Sequence, residues 1–207
     1  MTIIDNGYSN YTIVIPAVAT EIEKKAAYKL QHYLREMSGT KLDVIPEDRP
    51  WRSHAIYVGS CNSAKKLNID FPALEEDGFS VRTQGQDLFI CGGKRKGTLF
   101  GVYDFLEQVG CRKYSPDAEL IPKKKLLRIP QYNITEIPVF QYRETLMPDA
   151  SDPDYAEWHK LHHRSEREKD WGMWVHTFDD LIPPEKYFNE HPEYFSLNNG
   201  VRSSKTQ

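Results

Sequence analysis

Hydrophobic and polar residues follow two rhythms over the first 130 residues. Tyr11–Pro16 is a β-branched run between turn formers, which predicts a strand. Ile22, Ala26, Leu30, Leu34 and Met37 then recur at three- and four-residue spacing, with Thr20 placed to cap and Gly39 to stop. That pattern predicts an amphipathic helix with both ends marked. Leu42–Ile45 and Ala55–Val58 read as short strands, and a small helix is expected around Ser63–Leu67. Phe79 and Val81 alternate, as do Leu88 and Ile90, on either side of Gln84, Gly85 and Gln86, which predicts a hairpin. Leu99, Val102, Tyr103, Leu106 and Val109 share one helical face before Gly110. Leu126–Ile129 is a last strand before Pro130.

The order is β-α-β-β-β-β-α-β, which predicts an α+β fold: one mixed sheet with two helices packed on it. The pattern then changes. Three of the four tryptophans and five of the seven histidines lie beyond residue 150, among scattered prolines. Val139–Leu146 reads as a strand, Tyr155–Arg167 as a helix, and Gly172–His176 as a second strand. This is the β-α-β opening of a barrel, and two strands cannot close one. The expected division is an accessory domain over 1–133 and an incomplete (β/α)-barrel over 134–207.

Composition narrows the function classes. The chain has 207 residues, 39% hydrophobic and 28% charged, with net charge −3, so no basic face for nucleic acid is expected. Lys123–Lys125 is read as a solvated strand start. No apolar run is long enough to span a membrane. Met1–Tyr8 is polar and lacks the apolar core of a signal peptide. Cys61, Cys91 and Cys111 have neither disulfide nor zinc spacing and read as buried small hydrophobes.

Several patterns invite chemistry. Gly92–Thr98 is glycine-dense between a strand and a helix, but no lysine follows Gly97 as a phosphate loop requires. A tight turn with glycines at positive φ is the expectation. His159 and His163 share a helical face, but Lys160 stands where a metalloprotease has glutamate, so no metal site is expected. Arg143 sits in the strand-like run VFQYRETLM. Either it pairs with a structural carboxylate, or its planar fork grips sugar hydroxyls or a sugar carboxylate at the end of a barrel strand. His176, followed by Asp179 and Asp180, could bind hydroxyls; alternatively the aspartates cap a turn.

The segments AAYKLQHYLREMSG (26–39) and GGKRKGTLFGVYDFLEQVGCRKYSPDAELIP (92–122) resemble the non-catalytic domain before the barrel in family 20 β-hexosaminidases and family 67 α-glucuronidases. IPVFQYRETLM is similar to the first barrel strand of family 20 enzymes, and VHTFDD more loosely to their second. LIPPEKYFNEHPEYFSLNNG looks most like a group of bacterial glycosidase-like proteins. The resemblance implies part of a protein that hydrolyses O-glycosyl bonds in glycans, periplasmic or secreted, with no cofactor. It places Arg143, His176, Asp179 and Asp180 as substrate-binding residues and leaves the catalytic carboxylates outside this chain. The other class kept open is a non-catalytic carbohydrate-binding or structural module.

Overall fold

The computed structural model describes residues 1–51, 54–173 and 177–205. The chain divides into two compact units, Met1–His163 and Arg164–Gln207.

In the first unit, β1 (Thr2–Asp5) and β2 (Tyr11–Ile15) lead into α1 (Glu21–Ser38). β3 (Val44–Pro46), β4 (His54–Val58) and α2 (Asn62–Lys65) follow. β5 (Phe79–Gln84), β6 (Asp87–Gly92) and α3 (Gly97–Gln108) come next. β7 (Arg112–Ser115), β8 (Ala118–Leu120), β9 (Leu126–Arg128), β10 (Asn133–Glu136) and α4 (Pro153–Trp158) complete the unit. Six strands form one sheet in the order β10-β5-β6-β4-β2-β3. β2 pairs parallel with β3 and β4, and β4 with β6, whereas β5 is antiparallel to both β6 and β10. The sheet is mixed, as the pattern predicted.

Both faces of the sheet are covered, which is why β2 is buried at every position. Ile13, Ile56, Leu88, Ile90 and Phe79 meet α1 and α3 through Leu30, Leu34, Leu99 and Val102. Val14, Tyr57, Phe89 and Cys91 form a second apolar cluster with Cys61, Ala64 and Leu74 from the 61–74 segment. All three cysteines are free and buried. Burial pushes the Cys91 thiol up to about 12 and the Cys111 thiol up to about 11.

The ends of α1 follow the sequence signals. Thr20 and Glu23 make a reciprocal capping box, and Gly39 closes the helix in the left-handed region at φ 78°. Glu23 does more than cap. Its Oε2 accepts from Thr20 N–H at 2.8 Å, and its Oε1 accepts from Ser60 N–H at 2.8 Å and Ser60 Oγ at 3.0 Å. The β4–α2 turn is thus tied to the helix start. It passes so close that a Cβ on Gly59 (φ +98°) would lie 2.5 Å from that same Oε1. Glu23→Ala removes a cap and the acceptor that ties the turn's donors to the helix start. It should cost about 1–2 kcal/mol in denaturant unfolding. A loss below about 0.5 kcal/mol would show that water replaces the carboxylate freely.

Several expectations are corrected. β9 does not join the main sheet but pairs with β1, a strand the polar start of the chain did not announce. β10 and the β7–β8 hairpin were also unannounced. The lysine run has structural work: Lys123 Nζ donates to Glu36 O and Lys124 Nζ to Val109 O, both at 2.6 Å. These cations sit at the carbonyl ends of α1 and α3, where the helix dipole favours them. Gly92, Gly93 and Gly97 do not adopt positive φ; they provide room.

The run Val139–Leu146 forms no strand. Among the described residues no strand pairs with it, and Arg143 turns to Asp77 instead. The expected Tyr155–Arg167 helix is broken as well. α4 starts at an Asp152 cap, whose side chain accepts from Tyr155 N–H, and it stops at Trp158. Lys160 then turns the chain at φ 59°. Trp158 is buried against Tyr33 and Tyr103, with ring centroids at 5.3 and 5.0 Å, and its Nε1 donates to Glu107 Oε1 at 3.0 Å. Lys25 and Lys29 of α1 pair with Glu157 and Asp154 of α4, at 2.6 and 2.7 Å. The 148–163 segment is therefore part of the first unit's packing.

The second unit holds α5 (Arg164–Trp171), α6 (Phe178–Leu181), α7 (Pro184–Tyr187) and the β11–β12 hairpin (Leu197–Asn198, Val201–Arg202). Asn199 and Gly200, both at positive φ, make its two-residue turn.

Candidate functional site

The chemically densest cluster of the first unit is built around Asp77, in the loop before β5. This loop and the β6–α3 turn are laced together by backbone bonds. Gly93 N–H donates to Gly78 O at 2.8 Å, and Arg95 N–H to Glu76 O at 2.8 Å. The lacing sets Arg95 beside Asp77: Nε reaches Oδ1 at 3.2 Å and Nη2 reaches Oδ2 at 2.9 Å. Arg143 Nη2 donates to the same Oδ2 at 3.0 Å, and His162 Nε2 lies 2.9 Å from it.

His162 is held at both ring nitrogens. Arg143 N–H donates to Nδ1 at 2.9 Å, and Nε2 lies 2.9 Å from Asp77 Oδ2 and 2.8 Å from Arg95 Nη2. Tyr142 stacks on the ring at 5.0 Å. Burial alone would raise the Asp77 carboxyl. Hydrogen bonds from His162 and Arg95, the charge of Arg95 and the bond from Arg143 outweigh it, and they hold the carboxyl well below the usual carboxylate range.

Arg143 is thus paired with a carboxylate, though one 66 positions away rather than a neighbour. Its Nε donates to Lys160 O at 2.9 Å and its Nη1 to Phe140 O at 2.7 Å. The side chain is 17% exposed and borders two clefts. One carries Glu75, Glu76 and Phe140; the other carries Phe79, Glu136 and Lys160. Lys160 Nζ lies 3.6 Å from Asp104 and 3.5 Å from Glu107. Burial raises the Asp104 carboxyl, and Lys160 opposes this in part.

Asp179 and Asp180 lie on α6 in the second unit, both exposed. His176 and Trp174 fall outside the described residues. The His159 and His163 rings each meet a separate backbone carbonyl, Lys113 O and Ser151 O, at 3.0 Å. Asp77 and Arg95 carried no sequence signal as a pair, and His162 read as part of a polar helix face. The glycines around Arg95 marked one of the loops that bring them together, and the Asp77-Gly78 pair is the turn signal that could have found the other.

Comparison with known proteins adds to this geometry. Residues 7–105 match the glycosyl hydrolase family 67 N-terminus. Residues 113–207 match a domain of unknown function, DUF4838. In this sense the front of the chain is glycoside hydrolase-like. A probable alpha-glucuronidase A of Aspergillus terreus is 30% identical over 93 residues, 44% of this chain and 11% of that protein. Alpha-glucuronidase A of Aspergillus tubingensis is 35% identical over 51 residues, 25% of this chain and 6% of that protein. The matched stretches thus span a small part of these relatives. Among solved structures, a family GH115 4-O-methyl-alpha-glucuronidase with specificity for decorated arabinogalactans aligns at TM-score 0.47 and 15% identity. It covers 69% of this chain and 19% of its own. A GH138 enzyme targeting pectin rhamnogalacturonan II aligns at TM-score 0.40 and 17% identity, over 64% of this chain and 12% of its own.

Proposed function

We propose that this chain is the front part of an α-glucuronidase-like protein that hydrolyses glycosidic bonds in glycans. The observation that carries the reading is the match of residues 7–105 to the family 67 N-terminus. In this reading the sheet with α1 and α3 is an accessory domain, and the region from about residue 134 leads into a barrel-type catalytic domain. Arg143 in the first unit and, separately, His176, Asp179 and Asp180 in the second are residues that contact glycan, and the acid pair that hydrolysis requires comes from elsewhere in the protein. A family 20-like role for Arg143, gripping sugar oxygens at the cleavage subsite, is the narrowest form of the proposal.

The test is to assay the protein, with whatever continuation its gene encodes, on glucuronate-decorated glycans and a panel of chromogenic glycosides. Release of uronic acid or another sugar is expected. A folded protein inert across the whole panel would overturn the hydrolase reading and favour a non-catalytic carbohydrate-binding or structural module. One observation supports that second reading: the groups around Asp77 are engaged with one another rather than presented to a ligand.

A further inference from the structure

The second unit contains a hollow of about 160 Å³, bordered by Phe178, Asp179, Ile182, Tyr194, Ser196 and Ser204. Its walls are of two kinds. Phe178 is 66% exposed and Tyr194 54% exposed. Between them stand a carboxylate and two hydroxyls. Aromatic rings around a hollow with a few polar groups are the features that small-ligand sites share.

The aromatic wall is built before any ligand arrives. Tyr194 lies almost parallel to the His191 ring, with centroids 4.7 Å apart and planes 8° apart. His191 is held in turn, its Nδ1 3.0 Å from Glu193 Oε1 and its N–H donating to Tyr187 O at 2.7 Å. The backbone bond at Glu193 itself, with the bond from His191 added, lowers the Glu193 carboxyl below its ordinary value. Phe195, buried at the base, meets Phe188 edge-on at 5.2 Å. One face of Tyr194 is therefore fixed by its own turn, and the ring still borders the hollow. A ring held this way binds without giving up further rotamer freedom.

A pyranose fits these features. Its axial C–H groups make an apolar face for an aromatic ring, and its vicinal hydroxyls donate to a carboxylate. Among the described residues bordering the hollow, the one charged group is the Asp179 carboxylate, which disfavours a sugar carboxylate beside it. We propose that this hollow is a subsite for one neutral pyranose ring of a glycan, stacked on Tyr194 or Phe178 with its hydroxyls on Asp179, Ser196 and Ser204. The proposal rests on the glycan-handling reading above. It assigns this subsite to an uncharged sugar of the chain rather than to a uronate.

The experiment is protein-observed NMR titration of the full chain with methyl β-xyloside and methyl β-galactoside, with glucuronate as the charged comparison. Saturable shifts in α6 and residues 194–204 are expected for a neutral glycoside, with Kd on the order of millimolar for a single ring. Glucuronate should bind at least about ten-fold more weakly. Tyr194→Ala and Asp179→Asn should each lower affinity by about ten-fold. Tyr194→Phe keeps the ring and should keep binding, which separates loss of stacking from loss of fold. Absence of saturable shifts with both neutral glycosides, preference for glucuronate, or unchanged affinity in folded Tyr194→Ala and Asp179→Asn would overturn the subsite. A protein that hydrolyses glycans yet shows no such binding loses this subsite and keeps the proposed function. One that binds neutral sugar here without hydrolysing loses the function and keeps the subsite.

Discussion

Gly97→Ala should unfold the first unit or cost it at least about 4 kcal/mol, far outside the range of an ordinary surface change. Helix propensity alone argues the reverse sign, because alanine in a helix is favoured over glycine by about 1 kcal/mol. The structure decides between the two. A Cβ on Gly97 would lie 2.1 Å from Gly78 O and 3.0 Å from Gly92 C, and both are backbone atoms. A Cβ on Gly92 would lie 1.9 Å from Thr98 N, and one on Gly93 2.3 Å from Glu75 O. None of these neighbours is the free end of a side chain, so relief requires the loop before β5 to separate from the start of α3. That movement would also break the Arg95 N–H bond to Glu76 O and pull Arg95 from Asp77. Gly101 offers an internal comparison. Its Cβ would meet side-chain atoms, Ile90 Cγ2 at 3.0 Å and Phe79 Cβ at 3.2 Å, so Gly101→Ala should cost less. Denaturant unfolding of both variants measures this. A Gly97→Ala protein as stable as the parent would mean the two loops are not in the contact described.

Asp77→Ala should destabilise the first unit by about 3–5 kcal/mol, the usual cost of removing one partner from a buried ion cluster. Arg95 and Arg143 would face each other without their shared carboxylate, and His162 Nε2 would lose that partner. Asp77→Asn keeps an acceptor and the shape but not the charge, so it should cost less than alanine. The carboxylate also sets a pH dependence. Its folded pKa lies below that of the unfolded chain, near 4, so the stability it contributes is complete above about pH 4. That stability is withdrawn as pH falls below 4 toward the depressed folded value. The parent should therefore lose stability on acidification in this window, and Asp77→Asn should lose markedly less there. A variant within about 1 kcal/mol of the parent at neutral pH, with the same acid limb, would remove Asp77 from the centre of the cluster.

The amphipathic period and end signals specified α1 and α3, and alternation about a turn specified the β5–β6 hairpin. These are local properties: spacing decides which face is apolar, and a cap satisfies donors within one turn. β-branched runs marked β2 and β4, and together these elements implied the mixed sheet. The family 67 likeness within residues 7–105 was legible for the same reason, since it rests on contiguous residues. What only the tertiary structure decided is long-range. Leu126–Arg128 reads as a strand in isolation, but its partner is the chain's first strand, not the main sheet. Val139–Leu146 has the composition of a strand. In the structure it is a loop, in which Arg143 bonds to Asp77, His162 and the carbonyls of Phe140 and Lys160. Gly97 reads as a turn former, yet its necessity is the carbonyl of Gly78 pressing where a Cβ would be. Asp77, Arg95, Arg143 and His162 span 85 positions, and no spacing announces them. Their charges can be buried only together, so the cluster exists only once the sheet, the glycine turn and the 148–163 segment have packed.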